Sequence, residues 1–469
     1  MQTDAIREYY DNEFNRLAAG VEQSGEIVAA GTAESTQSEA MQPLPINVNK
    51  RVGMHYFPDT NHYNHADLER WLPILQKLGV NWITLLAPID RAIPQEFIDA
   101  LIGSDINPVV HFDASLIEPP NVDELRPMLK AYASWGVRYA VFFDRPNLRS
   151  QWPVNGWTQR GLVTRFLDIF QPFALAAIEA GMTPVFPALE PGGDFWDTAF
   201  LRAALEAFAE SGEGTLRESL ALGAYAWTED KSMTWGAGGP ENWPATMPYH
   251  TPENSEDQRG FRIFDWYNAI SQAILGKDLP IILIGAGVQR ESGKALDAQQ
   301  GTRAIKMAEA LKRTPDPDKN NAVPANVLAC NFWLLSAMPE TPETALAWYK
   351  INGKPTKFAD EWLAWKLGIP ESKVVPVEAN ASHAIPQQPH VRRAIEHYLL
   401  LPNSTDWPMD IIRAFVMETK ATMGISEQEA TNAARVTLAG RLDAFSDELL
   451  RNLIQAGCQV DLLPTDPAA

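Results

Sequence analysis

The feature that most constrains this chain is a rhythm. Between residues 51 and 365 a short apolar run, a polar loop and an amphipathic stretch follow one another in that order, eight times over. The apolar runs fall at 52–57, 80–86, 108–112, 138–143, 183–189, 220–227, 279–284 and 327–335. In the fourth, Tyr139, Val141 and Phe143 alternate with Ala140 and Phe142, so both faces are apolar, as in a parallel strand covered on both sides. The amphipathic stretches fall at 67–78, 95–102, 122–135, 160–180, 196–210, 261–275 and 298–312, and a last one starts at 342–349. The first of them carries Leu68, Trp71, Leu72, Leu75 and Leu78 at helical spacing and is closed by Gly79. Eight strand–helix units predict an α/β fold of the (β/α)8 TIM-barrel type. An open doubly wound sheet would need a glycine-rich phosphate turn after its first strand, and His55-Tyr56-Phe57-Pro58-Asp59 stands there instead.

The flanks differ in texture. Residues 4–18 predict a helix with Ile6, Tyr9, Tyr10, Phe14 and Leu17 on one stripe. Residues 21–50 have a linker composition. Such a helix docks on a protein partner, on another copy of the chain or back on the barrel, unless it is merely solvated. Beyond the barrel, residues 366–389 are loop-rich, and 390–401, 410–422, 427–438 and 442–456 predict a small helical appendage. The domain reading is therefore 1–50, 51–365 and 366–469.

Composition removes several classes of function. A formal net charge of −20 repels phosphate backbones, which argues against nucleic acid as a partner. The two cysteines, Cys330 and Cys458, cannot build a disulfide framework or a metal cluster. No His-x-x-x-His pairing, Gly-x-Ser-x-Gly elbow or cofactor motif is present, so neither a metal nor a cofactor is expected. No run approaches the ~18–20 apolar residues of a membrane helix. Residues 1–16 do not read as a secretory leader, and the compartment stays open.

In a barrel the working side chains come from the carboxyl ends of the strands. Here these are His55, Tyr56 and Asp59; Asp90 and Arg91; His111 and Asp113; Asp144, Arg145 and Asn147; Glu190; Tyr225, Trp227, Glu229 and Asp230; Gln289, Arg290 and Glu291 beyond Gly285-Ala286-Gly287; and Asn331 with Trp333. Carboxylates, amides and aromatic rings on one rim suit a sugar, whose ring faces stack on Trp and Tyr while its hydroxyls take paired donors and acceptors.

Five segments resemble the (β/α)8 retaining glycosidases of the large Glu/Glu clan. Asp144-Arg145-Pro146-Asn147-Leu148 with Trp152 is similar to that family's Asn-Glu-Pro-Asn-Leu after strand four. Pro280 followed by Ile281-Ile282-Leu283-Ile284-Gly285-Ala286-Gly287 resembles its strand seven, and Ala224-Tyr225-Ala226-Trp227 its aromatic strand six. Asn331-Phe332-Trp333 resembles its Trp platform, and residues 345–349 with Gly353-Lys354-Pro355 its closing segment. The resemblance spans residues 51–365 and implies a carbohydrate ligand.

It also implies a loss. Arg145 stands at the acid/base position and Gly285 at the nucleophile position. Retaining hydrolysis needs two carboxyl groups ~5–5.5 Å apart. A guanidinium with a pKa above ~12 does not release its proton near neutral pH, and glycine has no side chain.

Three readings follow. The first is a catalytically silent barrel that binds carbohydrate or serves as a scaffold, with His55, Tyr56, His111, Asp144, Arg145, Asn147, Glu190, Tyr225, Trp227 and Trp333 around the ligand. The second is an active glycosidase with relocated carboxylates, Glu190 with Glu229 or Asp144. The third is a structural assembly subunit that uses its two flanks. The first accounts best for the sequence.

Overall fold

The computed structural model describes residues 47, 49–211, 214–229, 231–287, 300–312, 322–367, 395–402, 409–440 and 445–463. The helix expected at 4–18, the linker apart from 47, 49 and 50, residues 368–389 of the loop-rich stretch, Asp230, Gln289, Arg290 and Glu291 lie outside the described residues.

Strands and helices alternate through the first part of the chain: β1 (Val52–His55), α1 (His65–Leu78), β2 (Trp82–Ala87), α2 (Gln95–Gly103), β3 (Asn107–Phe112), α3 (Val122–Ser134), β4 (Tyr139–Phe142), α4 (Leu162–Glu179), β5 (Thr183–Phe186), α5 (Asp197–Glu210), α6 (Gly214–Ser219), β6 (Ala221–Trp227), α7 (Gly239–Asn242), α8 (Ile263–Leu275), β7 (Ile281–Gly287), α9 (Gln300–Lys312), β8 (Val327–Phe332) and α10 (Lys357–Lys366). The eight strands close in sequential order into a parallel barrel, with Val52 of β1 opposite Cys330 of β8.

Strand alternation divides the core in two. Val52, Met54, Ile83, Leu85, Val110 and Phe142 belong to the shell between strands and helices. Trp82, Val109, Tyr139, Val141, Val185 and Ile282 form a second cluster, which Tyr225 and Trp227 continue toward the carboxyl ends. Just before β1, Arg51 is buried and donates to the carbonyls of Leu311, Val323 and Pro324.

Local chemistry sets the helix ends. Asn64 caps α1 in a reciprocal box with Asp67, its Oδ1 accepting from Asp67 N at 3.0 Å and Asp67 Oδ2 accepting from Asn64 N at 3.3 Å. The helix expected to begin at 342–349 is instead a single 3-10 turn, Pro342–Ala345. Trp348 N and Tyr349 N donate to the carbonyls of Leu334 and Leu335 at 3.0 and 2.9 Å, which diverts the backbone along the exit of β8. The true last helix, α10, starts only after Thr356.

The C-terminal segment is not purely helical. It alternates β9 (Ile395–Leu400), α11 (Met409–Thr419), β10 (Thr422–Gly424), α12 (Glu427–Ala430), β11 (Ala433–Ala439), α13 (Asp447–Gln455) and β12 (Gln459–Leu463). Its strands form a parallel sheet in the order β10-β9-β11-β12. The patterns at 390–401 and 427–438 read as helices because their apolar residues also fit a three-to-four spacing. Two-sided burial of Tyr398, Leu399 and Leu400, and of Val436, Thr437 and Leu438, selects the strand.

The barrel is fastened to this sheet through its β2–α2 loop. Ala92 N donates to Met423 O at 2.8 Å and Ile425 N to Asp90 O at 2.9 Å, so residues 90–92 pair antiparallel with the edge of β10. Gly424 permits the approach, since a Cβ there would lie 2.6 Å from Asp90 O and 2.2 Å from the Tyr398 hydroxyl. Arg91, assigned by the sequence to the rim, is buried here, with Nε 3.1 Å from Glu429 Oε2.

Candidate functional site

The β4 exit carries the strongest local distortion. Phe143 and Arg145 both adopt positive φ, 66° and 44°, which non-glycine residues hold only when their surroundings impose it. Arg145 N donates to Ala188 O at 3.0 Å. The side chain turns back, with Nε 2.7 Å from Asp144 Oδ2 and Nη1 3.6 Å from Glu190 Oε2. Tyr225, from β6, donates its hydroxyl to the other Asp144 oxygen at 2.7 Å. The guanidinium also lies 5.6 Å from the centre of the Tyr225 ring. One cation thus sits between two carboxylates and an aromatic face. Burial opposes its charge, but Tyr225, Asp144 and Glu190 more than offset that, and its pKa is held above the usual arginine value. Burial, then Asp144, likewise pushes the Tyr225 hydroxyl well up, so it remains a donor.

An aromatic wall stands beside this cluster. Tyr225 and Trp227 stack at 4.9 Å with 13° between their planes, since they are two residues apart on one strand and share a face. Trp333 meets Trp227 edge to face at 5.9 Å and 88°, and His55 leans on Trp333 at 4.4 Å. Arg145, Tyr225, Trp227 and Trp333 line a cleft of about 190 Å³, closed on its outer side by Pro342, Glu343 and Leu346. Pro342 and Glu343 belong to the 3-10 turn after β8 and Leu346 follows it; none of the three was among the candidate site residues.

Gly285 lies behind the aromatic wall. It is paired with Tyr225 across β6 and β7, next to a register shift at Ala224/Tyr225. A Cβ at this position would lie 2.7 Å from Trp227 Cη2 and 3.1 Å from Tyr225 Cδ1. The stacked rings thus occupy the space into which a side chain from β7 would project.

The other sequence candidates divide. His55 and His111, from β1 and β3, are buried near the mouth, and His111 Nε2 lies 2.8 Å from Phe143 O. Burial foremost, then His111, lowers the His55 pKa to about 3, so its ring is neutral at ordinary pH. The Nδ1 atoms of both rings, Thr84 Oγ1, Asn331 Oδ1 and Trp227 Nε1 are buried and have no hydrogen-bond partner among the described residues. Asn147 is fully buried and its amide is bonded to the backbone of the β5–α5 loop. Tyr56 points away from the mouth, donating to His62 O at 2.8 Å within the strand–helix shell. Glu229 has a φ of 43°, and its carbonyl accepts from Arg303.

Among the described residues no group of three or more His, Cys, Asp or Glu is placed to hold a metal ion, and no helix is long and apolar enough to cross a membrane. A second cavity, about 250 Å³, lies at the seam between barrel and C-terminal sheet. Within it His65 Nδ1 lies 3.3 Å and Lys420 Nζ 2.5 Å from Glu96 Oε1.

No protein-family model matches the chain, and no curated protein does. The fold is a closed parallel (β/α)8 barrel. Similar solved structures include a family 39 glycoside hydrolase from Bacteroides cellulosilyticus WH2, at 11% identity and a TM-score of 0.46 over 68% of this chain and 64% of that one. A monomeric beta-xylosidase from Caulobacter crescentus CB15 has 11% identity and a TM-score of 0.44, covering 69% of each chain. A glucosidase from Croceicoccus marinus has 10% identity and a TM-score of 0.44 over 69% of this chain and 68% of that one. This chain therefore spans slightly less than two thirds of the length of the first of these. At such identities the likeness is one of fold.

Proposed function

We propose that this chain is a carbohydrate-binding barrel that does not hydrolyse glycosides. The observation that carries the reading is the position of Arg145. Where the resembling family has its proton donor, a permanent cation is held between Asp144 and Glu190. A guanidinium does not release its proton near neutral pH, so this position supplies no acid for a leaving oxygen. Gly285 adds to it, because the space beyond its Cα is occupied by Tyr225 and Trp227. The retained features are those of binding: an aromatic wall, carboxylate acceptors and several buried polar atoms that a ligand's hydroxyls or water would complete.

The test is titration of the full chain with soluble oligosaccharides, followed through tryptophan fluorescence, alongside assays with aryl glycosides. Saturable binding that is lost in Trp333→Ala, with no release of the aryl group above buffer, is the expected result. Turnover by the parent chain that disappears in Glu190→Gln would overturn the proposal and favour a relocated carboxylate pair. Absence of binding to every sugar would overturn it equally.

A further inference from the structure

Resting on the reading above, we infer that the cleft selects a sugar carrying a free, positively charged amine over its neutral or N-acetylated counterpart. Glu343 and Arg145 line the cleft, and Arg145 is already engaged by two further carboxylates, Asp144 and Glu190. The Glu343 carboxylate makes no ion pair or hydrogen bond among the described residues, although the residue is half-buried and forms part of the cleft lining. The site thus has a surplus of negative charge with one carboxylate uncommitted.

The aromatic wall is already used in this manner by the protein itself, since Arg145 lies over the Tyr225 ring. A guest ammonium between Glu343 and Trp333 would repeat that arrangement with a mobile cation. Trp227 supplies a further constraint. It is 7% exposed, it lines the cleft, and its Nε1 has no partner, so it offers one buried donor to an acceptor on the guest. A ring with hydroxyl acceptors at one side and an amine at another satisfies both features. A plain alkyl amine satisfies only the first, and a neutral sugar only the second. The cleft volume of about 190 Å³ limits the recognised unit to about one sugar ring, with the rest of any chain outside.

The experiment is calorimetric titration of the full chain with a glucosamine tetramer, its N-acetylated form, a glucose tetramer and 1,6-diaminohexane. It is run at an ionic strength of about 0.15 M, which screens the general attraction of an acidic protein for cations. The glucosamine tetramer is expected to bind about tenfold or more tightly than the other three near pH ~6, where its amines are charged, because a desolvated cation–π contact and a facing carboxylate act together. That preference should fade toward pH ~9, where amines of this type have lost their proton. Glu343→Gln should shrink the ratio of charged-tetramer to neutral-tetramer affinity, whereas Trp333→Ala should weaken every sugar. Equal affinity for charged and neutral tetramers would overturn this inference and leave sugar binding intact. Binding of the diamine as tightly as the amino sugar would overturn it as well. Failure of all four to bind would overturn the sugar-binding reading itself.

Discussion

Asn147 and Glu190 are joined by two hydrogen bonds running in opposite directions: Asn147 Nδ2 donates to Glu190 O at 2.9 Å, and Glu190 N donates to Asn147 Oδ1 at 2.9 Å. A third bond takes the remaining amide hydrogen to Phe195 O at 2.9 Å. The residue that resembles a sugar contact therefore braces the β4 exit against the loop that carries Glu190. Asn147→Ala would remove these three hydrogen bonds from a fully buried place, although Glu190 O keeps the one from Gly193 N, at a cost of about 2–3 kcal/mol. Urea denaturation should show that loss, and sugar affinity should fall with it as Glu190 shifts relative to Arg145. A variant as stable as the parent would mean that the brace is dispensable.

Gly285 and Trp227 make a second constraint. With only 2.7 Å between a Cβ at 285 and Trp227 Cη2, the indole would have to move, yet it is held between Tyr225 and Trp333. Overpacking of this kind costs about 1–3 kcal/mol, so Gly285→Ala is expected to lower the urea midpoint by a corresponding amount and to alter tryptophan fluorescence. Gly285→Glu should be worse on both counts and should not gain glycosidase activity. An unchanged midpoint and spectrum for Gly285→Ala would show that the wall yields.

The parts of this molecule that were legible in the sequence are those in which one physical signal acts alone. Eight strands apolar on both faces admit few arrangements besides a closed parallel barrel, and Tyr225, Trp227 and Trp333 lie at its mouth because each sits at a strand's carboxyl end. Tyr56 was not legible, because one residue decides which side of the wall a side chain takes, and β1 ends at His55. Arg91 was not legible either. Its role depends on Glu429, 338 residues away in sequence, and no local pattern announces such a pair. Glu343 was hidden by a helix expected where the chain makes one 3-10 turn. In the C-terminal sheet, Ala433 and Val436 continue the spacing of the short α12, so a strand presents itself as a helix.

Asp197 gives the chain a pH dependence with a definite sign. It is fully buried at the start of α5, where Oδ1 accepts from Gly192 N at 2.9 Å and from Gln258 Nε2 at 2.6 Å. Burial outweighs these bonds and raises its pKa from 3.8 to about 6. Between those two values the folded chain holds a proton that the unfolded chain has released, so this group's contribution to stability falls as pH rises across that window. Asp197→Asn keeps the Oδ1 acceptor and removes the titration. Relative to the parent, it should gain on the order of 1–3 kcal/mol in stability between pH ~4 and pH ~6, measured by urea titration at a series of pH values. Parallel curves for the two proteins would sink the assignment.

Arg91 is the point at which the barrel holds the C-terminal sheet. Its Nε faces Glu429 Oε2 at 3.1 Å, a second nitrogen donates to Thr60 O at 2.5 Å, and the side chain is buried while Glu429 is only partly so. The backbone pairing at residues 90–92 continues without the guanidinium, since it runs through Ala92 N and Asp90 O. Arg91→Ala therefore removes a charge-assisted clamp without stranding a fully buried carboxylate. The expected cost is about 2–3 kcal/mol, falling on the contact between the two parts rather than on the barrel core. Limited proteolysis should cut the variant faster within residues 395–463 while the barrel stays protected, and far-ultraviolet melting should show the sheet leaving first. Arg91→Lys keeps the charge but not the two-directional reach, and should recover only part of the protection. Cleavage at the parent's rate in both variants would show that the backbone pairing alone fastens the sheet.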